Sequence, residues 1–316
     1  MQRTALVLGV LLTVLAAPCW SAAGVDDYPM TAQAIAPGVY AVLTPARDFP
    51  NAQNKGWNSN SAFVVTDGGV LLFDTGTSQT IGEALKRAIA KVTDQPVRWI
   101  VNSHGHGDHW LGNAAFYREG VTIYASPRVK QRVETEGQEW ISRFERMTDG
   151  ATGHSDVIVP NFEIDERTEA VIGGLRVVFI PSGNSHSPGD ILVWLPQRKV
   201  LLAGDVVYSD RMPSTFDSDV RQWIRFLGDL EAIKPVVVVP GHGAVTDAAA
   251  LRRQREFLST LWAVVKQGYE DGKTDFEIVP LAREALRQYK AGYPGFDDKL
   301  GRDVSHVYLQ VEAALF

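Results

Sequence analysis

One cysteine in 316 residues leaves no material for a disulfide framework or for a zinc module built on cysteine pairs. Positive charge is scarce as well. Against 37 Asp and Glu stand 31 Lys and Arg, and the net charge of −6 argues against a nucleic-acid partner, whose binding rests on neutralised phosphates. No apolar run reaches the ~20 residues that a membrane span requires. No tract is biased enough to stay unfolded, and self-similarity at a short repeat period is absent. What is left is a chain with 45% apolar and 22% charged residues, long enough to bury a large core.

The start of the chain reads differently from the rest. Arg3 is the only charge before Asp26, and the apolar run Ala5 to Ala17 leads into the small residues Ser21-Ala22-Ala23. This is the pattern of a secretory signal over residues 1–23, cut after about Ala23. An uncleaved anchor is the rival reading, opposed by the shortness of the run. Lipid attachment at Cys19 is opposed by Pro18 before it. With the signal gone the mature chain has no cysteine, no thiolate chemistry and no expected membrane insertion, and its place is the periplasm or the medium outside the cell.

From Val39 onward, short β-branched runs alternate with helix-period segments, which is the pattern of a layered α/β domain. Ser61 to Asp74 has two apolar runs about an Asp-Gly-Gly turn and predicts a hairpin. Then follow a helix over Ser78 to Val92, a strand over Val97 to Asn102, a short helix over Gly112 to Arg118, a strand over Val121 to Ala125 and a helix over Pro127 to Met147. A second round begins with two hairpins, Ala170 to Ile180 and Ile191 to Ala203, turning at Gly173-Gly174 and Pro196-Gln197. A helix over Asp219 to Ile233 and an apolar strand over Val236 to Val239 complete it, so two similar halves are expected. Residues 247–316 read as mostly helical and carry no chemical motif. Their first helix, Ala248 to Gly268, is expected to bury Leu251, Leu258, Leu261, Trp262 and Val265.

The chemistry is concentrated just after the strand ending at Asn102. Ser103-His104-Gly105-His106-Gly107-Asp108-His109 offers four metal ligands in six residues. Extended residues two apart point the same way, and the intervening glycines let the backbone turn so that Asp108 and His109 face a second point nearby. Imidazole with carboxylate suits zinc, with iron or manganese as competitors. The alternative, a polar loop with chance histidines, has to place three of the chain's seven His in one turn at a strand's carboxyl end, where open α/β folds put their sites. His186, Asp205 and His242 each stand at a later strand end. Any one of them alone would more often be an ordinary turn residue.

Together these residues resemble the metallo-β-lactamase superfamily of binuclear metallohydrolases. The resemblance runs from about Val39 to Thr246 and rests on H-x-H-x-D-H at His104 to His109, the spaced His186, Gly204-Asp205 and Pro240-Gly241-His242-Gly243, in the family's order. Phe73-Asp74-Thr75-Gly76 looks like the family's early Asp-Thr-Gly turn. The resemblance implies an αββα four-layer sandwich over residues 24–246, with residues 247–316 as a helical extension on the same domain. It implies two Zn²⁺ ions, one held by His104, His106 and His186 and the other by Asp108, His109 and His242, with Asp205 bridging. A water held between two such ions ionises near neutral pH and becomes the nucleophile. Asp108 would also orient that nucleophile, and Asp74 would hydrogen-bond a ligand or loop, a purely structural turn Asp being the alternative.

One departure from the family pattern matters. Asp190 to Val206 resembles the corresponding segment of the secreted di-zinc β-lactamases, which have a Cys ligand where Asp205 stands. A carboxylate there is typical of glyoxalase-II-like thioesterases, so penicillin hydrolysis is not implied. His106 separates the chain from the superfamily's di-iron flavoproteins, which use an acidic residue at that position. The leading expectation is an exported zinc hydrolase for an ester, thioester, lactone or amide-like bond of a small molecule. Two rivals stand beside it: a mononuclear iron persulfide dioxygenase, and a non-catalytic periplasmic metal-binding accessory protein. The loop Thr44 to Asn58, with Phe49 and Trp57, reads as either a flap over the substrate or an ordinary surface loop. Trp110 reads as packed core, and His154 and His306 read as bystanders. The C-terminal helices would either cap the site or form a dimer face.

Overall fold

The computed structural model describes residues 22–46, 48–118 and 120–315. The expected signal, residues 1–23, lies outside them apart from Ala22 and Ala23. Seven strands pair in chain order to form the first sheet: β1 (Ala32–Ala36), β2 (Val39–Val42), β3 (Ser61–Thr66), β4 (Gly69–Phe73), β5 (Val97–Val101), β6 (Thr122–Ala125) and β7 (Phe162–Glu163). The meander from β1 to β4 is antiparallel, and β4 to β7 are parallel. The second sheet is built from β8 (Thr168–Ile172), β9 (Leu175–Pro181), β10 (Ile191–Leu195), β11 (Val200–Tyr208) and β12 (Val237–His242). Only the β11–β12 pair in it is parallel.

Alternation along the strands sets the layers, because successive side chains point to opposite faces. Val64, Leu71, Phe73 and Val101 of the first sheet meet Val177, Phe179, Val193 and Leu202 of the second in one buried cluster between them. The residues between these, Phe63, Val70, Leu72 and Ile100, face outward onto Ile81, Leu85 and Ile89 of α1 (Gln79–Ala90). Helix α2 (Pro127–Met147) buries Val129, Val133, Ile141 and Phe144 against Trp110. On the far side, Leu192, Leu201 and Val178 pack against Trp223 and Leu227 of α3 (Val220–Ala232). The same cluster takes in α4 (Ala248–Glu270), α5 (Asp275–Ala285) and α6 (Phe296–Leu315). The order helix, sheet, sheet, helix is the αββα sandwich expected from the resemblance.

Helix starts follow local chemistry. Ser78, Ser126 and Asp219 accept backbone hydrogen bonds as N-caps of α1, α2 and α3, and Pro127 opens α2 where no amide donor is needed. Two expectations need adjusting. The segment Gly112 to Arg118 is a 3-10 turn over Leu111–Ala115. Trp262 is only partly buried, because it stands at the helix surface beneath the guanidinium of Arg221. No helix among the described residues is long and apolar enough to cross a membrane.

Candidate metal centre

The site collects at the carboxyl ends of β4, β5, β11 and β12. Asp74 follows β4 with φ of +58°, a left-handed conformation that Asp tolerates better than most residues. It is buried, and its two oxygens accept hydrogen bonds from the Ser103 backbone amide (2.8 Å) and the Ser103 hydroxyl (2.7 Å). This ties the turn after β4 to the His-rich loop after β5. Asp205 lies inside β11 rather than beyond it, since the run Val206-Val207-Tyr208 continues the strand. His242 ends β12. The two strands approach so closely that a Cβ on Gly241 would stand 1.9 Å from Asp205 Oδ1, which explains the glycine.

Seven side chains converge here. His104 Nε2 and His186 Nε2 each lie 3.0 Å from His106 Nδ1, and with Asp205 they form one group of donor atoms. Asp108, His109 and His242 form a second group, with Asp108 Oδ2 3.6 Å from His109 Nε2 and 3.7 Å from His242 Nε2. The Asp205 carboxylate faces both: Oδ2 is 3.6 Å from His186 Nε2 and 3.1 Å from His242 Nε2, and Oδ1 is 3.3 Å from His109 Nε2.

The residues fit metal ions on three counts. Zinc–nitrogen bonds of 2.0–2.1 Å at tetrahedral angles put ligand atoms about 3.3 Å apart, the range seen here. His109 Nε2 and Asp205 Oδ1 are buried without a hydrogen-bond partner and stand 3.3 Å apart, as two ligands of one cation would. Most of the imidazoles, moreover, have an acceptor at the far nitrogen. His109 Nδ1 faces Asp74 (2.8 Å), His106 Nε2 faces Asp217 (3.3 Å), His104 Nδ1 faces the Ser103 hydroxyl (2.9 Å) and His242 Nδ1 faces the Asn58 carbonyl (2.7 Å). Each partner takes the ring proton and leaves the near nitrogen's lone pair turned inward.

The electrostatics agree with this arrangement. Burial pulls His104 well below the usual imidazole range and His186 down to about 3, so both stay neutral. At His109 burial also opposes charge, but Asp108, Asp205 and Asp74 outweigh it and hold the ring well above the ordinary value. Burial likewise opposes ionisation of Asp205, and His242 and His109 overcome it, keeping the carboxylate charged. A compact group of anions that retains a proton on an imidazole has the charge balance of a cation site.

A cavity of about 270 Å³ opens onto the cluster. Its lining includes His106, Asp108, His186, Asp205 and His242, together with Phe49, Trp140, Phe144, Tyr208, Arg211, Arg302 and His306. Of the two aromatics in the loop before β3, Phe49 reaches the cavity and Trp57 is buried under the first sheet. Trp110 is fully buried, and His154 is exposed beside Asp156. His306, read from sequence as a bystander, lines the cavity, because α6 folds back across the site. Tyr208, Arg211, Asp217 and Asn58 carry no motif in the sequence. Tyr208 donates to Asp205 Oδ2 at 2.6 Å, and Asn58 Nδ2 donates to Asp108 Oδ2 at 3.0 Å.

Two face-packed sheets between helices, with a His/Asp cluster gathered at one edge, define an αββα protein with a candidate metal centre. The family profile of the metallo-β-lactamase superfamily matches residues 54–242, and the chain belongs to that superfamily. A linear primary-alkylsulfatase of Pseudomonas sp. is 25% identical over 283 residues, covering 77% of this chain and 53% of its own length. The metallo-β-lactamase IND-1 of Chryseobacterium indologenes is 24% identical over 237 residues, covering 73% of this chain and 89% of that enzyme. Among solved structures, a stereoselective inverting sec-alkylsulfatase from Pseudomonas sp. superposes with a TM-score of 0.67 at 18% identity, over 89% of this chain and 50% of that one. The chain thus spans about half the length of the alkylsulfatases it matches.

Proposed function

We propose that the chain is an exported, binuclear zinc-dependent hydrolase cleaving an ester, thioester, lactone or amide-like bond of a small molecule. The observation that carries this reading is the convergence of seven ligand side chains in two groups, with Asp205 facing both. His104, His106 and His186 would hold one ion and Asp108, His109 and His242 the other, with Asp205 between them. The chemistry such a pair supplies when bound is polarisation of the scissile carbonyl and a water that ionises near neutral pH. Five imidazoles and two carboxylates favour zinc among the candidate metals.

The chain's own residues do the rest. Asp108 lines the cavity, where its carboxylate would accept a hydrogen bond from the attacking water and orient it toward the substrate. Tyr208 is kept protonated by burial, well above the ordinary phenol value, so its hydroxyl acts as a donor that fixes the Asp205 carboxylate. Trp140 and Phe144 keep competing water from one side. The relatives' names span alkyl sulfates and β-lactams. A carboxylate at position 205 in place of the Cys ligand turns the reading away from the latter.

The test is metal content after expression without chelator, combined with a screen of esters, thioesters, lactones and sulfate esters. Close to two zinc per chain with turnover is the expected result. One iron per chain with oxygen consumption on persulfides would overturn it, as would two zinc without turnover of any substrate, the behaviour of an accessory metal-binding protein.

A further inference from the structure

Asp217, the carboxylate facing the far nitrogen of His106, stands in the loop 209–219 that joins β11 to α3. The loop is neither helix nor strand, so no ladder of backbone bonds fixes the side chains it carries. It nevertheless reaches a candidate ligand of each group. Arg211, in the same loop, brings its Nη1 to 2.8 Å from His242 Nδ1.

Helix α6 grips this loop on both sides of Asp217. Two residues before it, the Thr215 amide (3.1 Å) and hydroxyl (2.7 Å) donate to Asp303 Oδ1, and His306 Nδ1 stands 3.5 Å from the same hydroxyl oxygen. Immediately after it, Gln310 Nε2 donates to the Ser218 carbonyl at 2.9 Å. The Gln310 Oε1 accepts from the Val220 amide at 2.9 Å, one of the donors that the start of α3 leaves without an intrahelical partner. Between the two grips the Phe216 ring meets His306 edge to face, with centroids 5.6 Å apart.

Positions 303, 306 and 310 follow the i, i+3, i+7 spacing of a single helix stripe. Beside it runs the apolar stripe Leu300, Val304, Val307 and Val311, which holds α6 in the core. Packing alone would favour an apolar residue at 303 as well. Asp303 is 1% exposed and its Oδ2 has no hydrogen-bond partner. Burial raises its pKa to about 6, against the Thr215 donors and the charges of Arg302 and Lys299, so it is ionised at neutral pH. A carboxylate buried in that state costs stability, and the bonds it makes in return are those to Thr215.

We propose that Asp303 and Gln310 are positioning residues for the metal centre, clamping the loop 209–219 so that Asp217 stays on His106. They act on the ion that His104, His106 and His186 would hold without touching it. Helix α6 lies beyond the family-matching residues 54–242, so the ligand set of the shared domain is steadied by a segment outside it. The inference rests on the cluster holding zinc.

Withdrawal of zinc from the loaded full chain by a chelating dye tests it. Asp303→Ala and Gln310→Ala should each weaken zinc binding by about tenfold, the lower end of the cost of losing a ligand's hydrogen-bond partner. Asp303→Asn keeps an acceptor for Thr215 and should bind zinc as the parent does. In an Asp217→Ala background the two alanine substitutions should weaken zinc no further, because the group they position is gone. Val304→Ala shortens a buried α6 side chain away from the loop, and should lower the denaturation midpoint while leaving zinc affinity alone. Parental affinity in both alanine variants, full additivity with Asp217→Ala, or a tenfold loss in Asp303→Asn or Val304→Ala would each overturn the proposal. A parent that takes up no zinc would sink the metal reading and this inference with it, whereas a zinc-loaded parent with any of those results sinks this inference alone.

Discussion

Each imidazole of the centre depends on what holds its far nitrogen, and two of those partners are carboxylates. Asp74 is locked by Ser103 as well as His109, whereas Asp217 is shared between His106 and Arg132, which also pairs with Glu136. Asp74→Asn and Asp217→Asn should each weaken zinc binding by about 10- to 100-fold, the usual cost of losing a ligand's hydrogen-bond partner. Competition against a chelating dye measures this, and unchanged affinity in both variants would show that the rings are held by other means. Asp205→Asn removes a charge that faces both groups and should cost most of the metal and most of the activity. Full metal at full rate would refute its bridging role. Asp303 gives a pH prediction. Its folded pKa of about 6 lies above the ordinary value of 3.8, so its contribution to stability is fully present below pH 3.8 and is lost as pH rises through 6. Denaturant titrations of Asp303→Asn against the parent should diverge in the variant's favour by up to about 3 kcal/mol between pH 4 and pH 7. Parallel curves would refute this. The candidate ligands stood out in the sequence because four of them share one loop. Asp217, Tyr208 and Arg211 did not, since their types are common and only the fold brings them to the cluster.

At the scale of elements, strand and helix order could be read from periodicity, and α2 begins and ends where its pattern predicts. The misjudged boundary that matters most is a functional one. Gly204 looked like the end of an apolar run, yet β11 carries on to Tyr208 and presents Asp205 from within the strand, beside β12 and beyond the last residue paired with β10. This placement depends on the close approach of β12. Gly241→Ala should therefore press a methyl group against the Asp205 carboxylate. Overpacking of this kind typically costs about 1–3 kcal/mol. The expected signature is a lowered denaturation midpoint together with a larger loss of bound zinc than of stability, measured on the same preparation. A variant that keeps its full zinc content would show that β12 can move away.

For the molecule as a whole, the cluster joins both sheets, so occupancy should register in global stability. A ligand present at 100 times its dissociation constant adds about 2.7 kcal/mol. Chelation is accordingly expected to lower the thermal midpoint by about 5 °C or more, reversed on adding zinc. A midpoint indifferent to chelator would mean that the sandwich stands without the ions. The layered architecture was legible because alternating apolar runs dictate it, but the role of α6 was hidden, since nothing in a helical period says which way its polar face turns. Phe49 and Arg302 are far apart in sequence, so their meeting closes a loop that spans most of the protein. A chain truncated after β12 would keep all seven candidate metal ligands but would leave the cavity above them open on the side where Arg302 and His306 now stand.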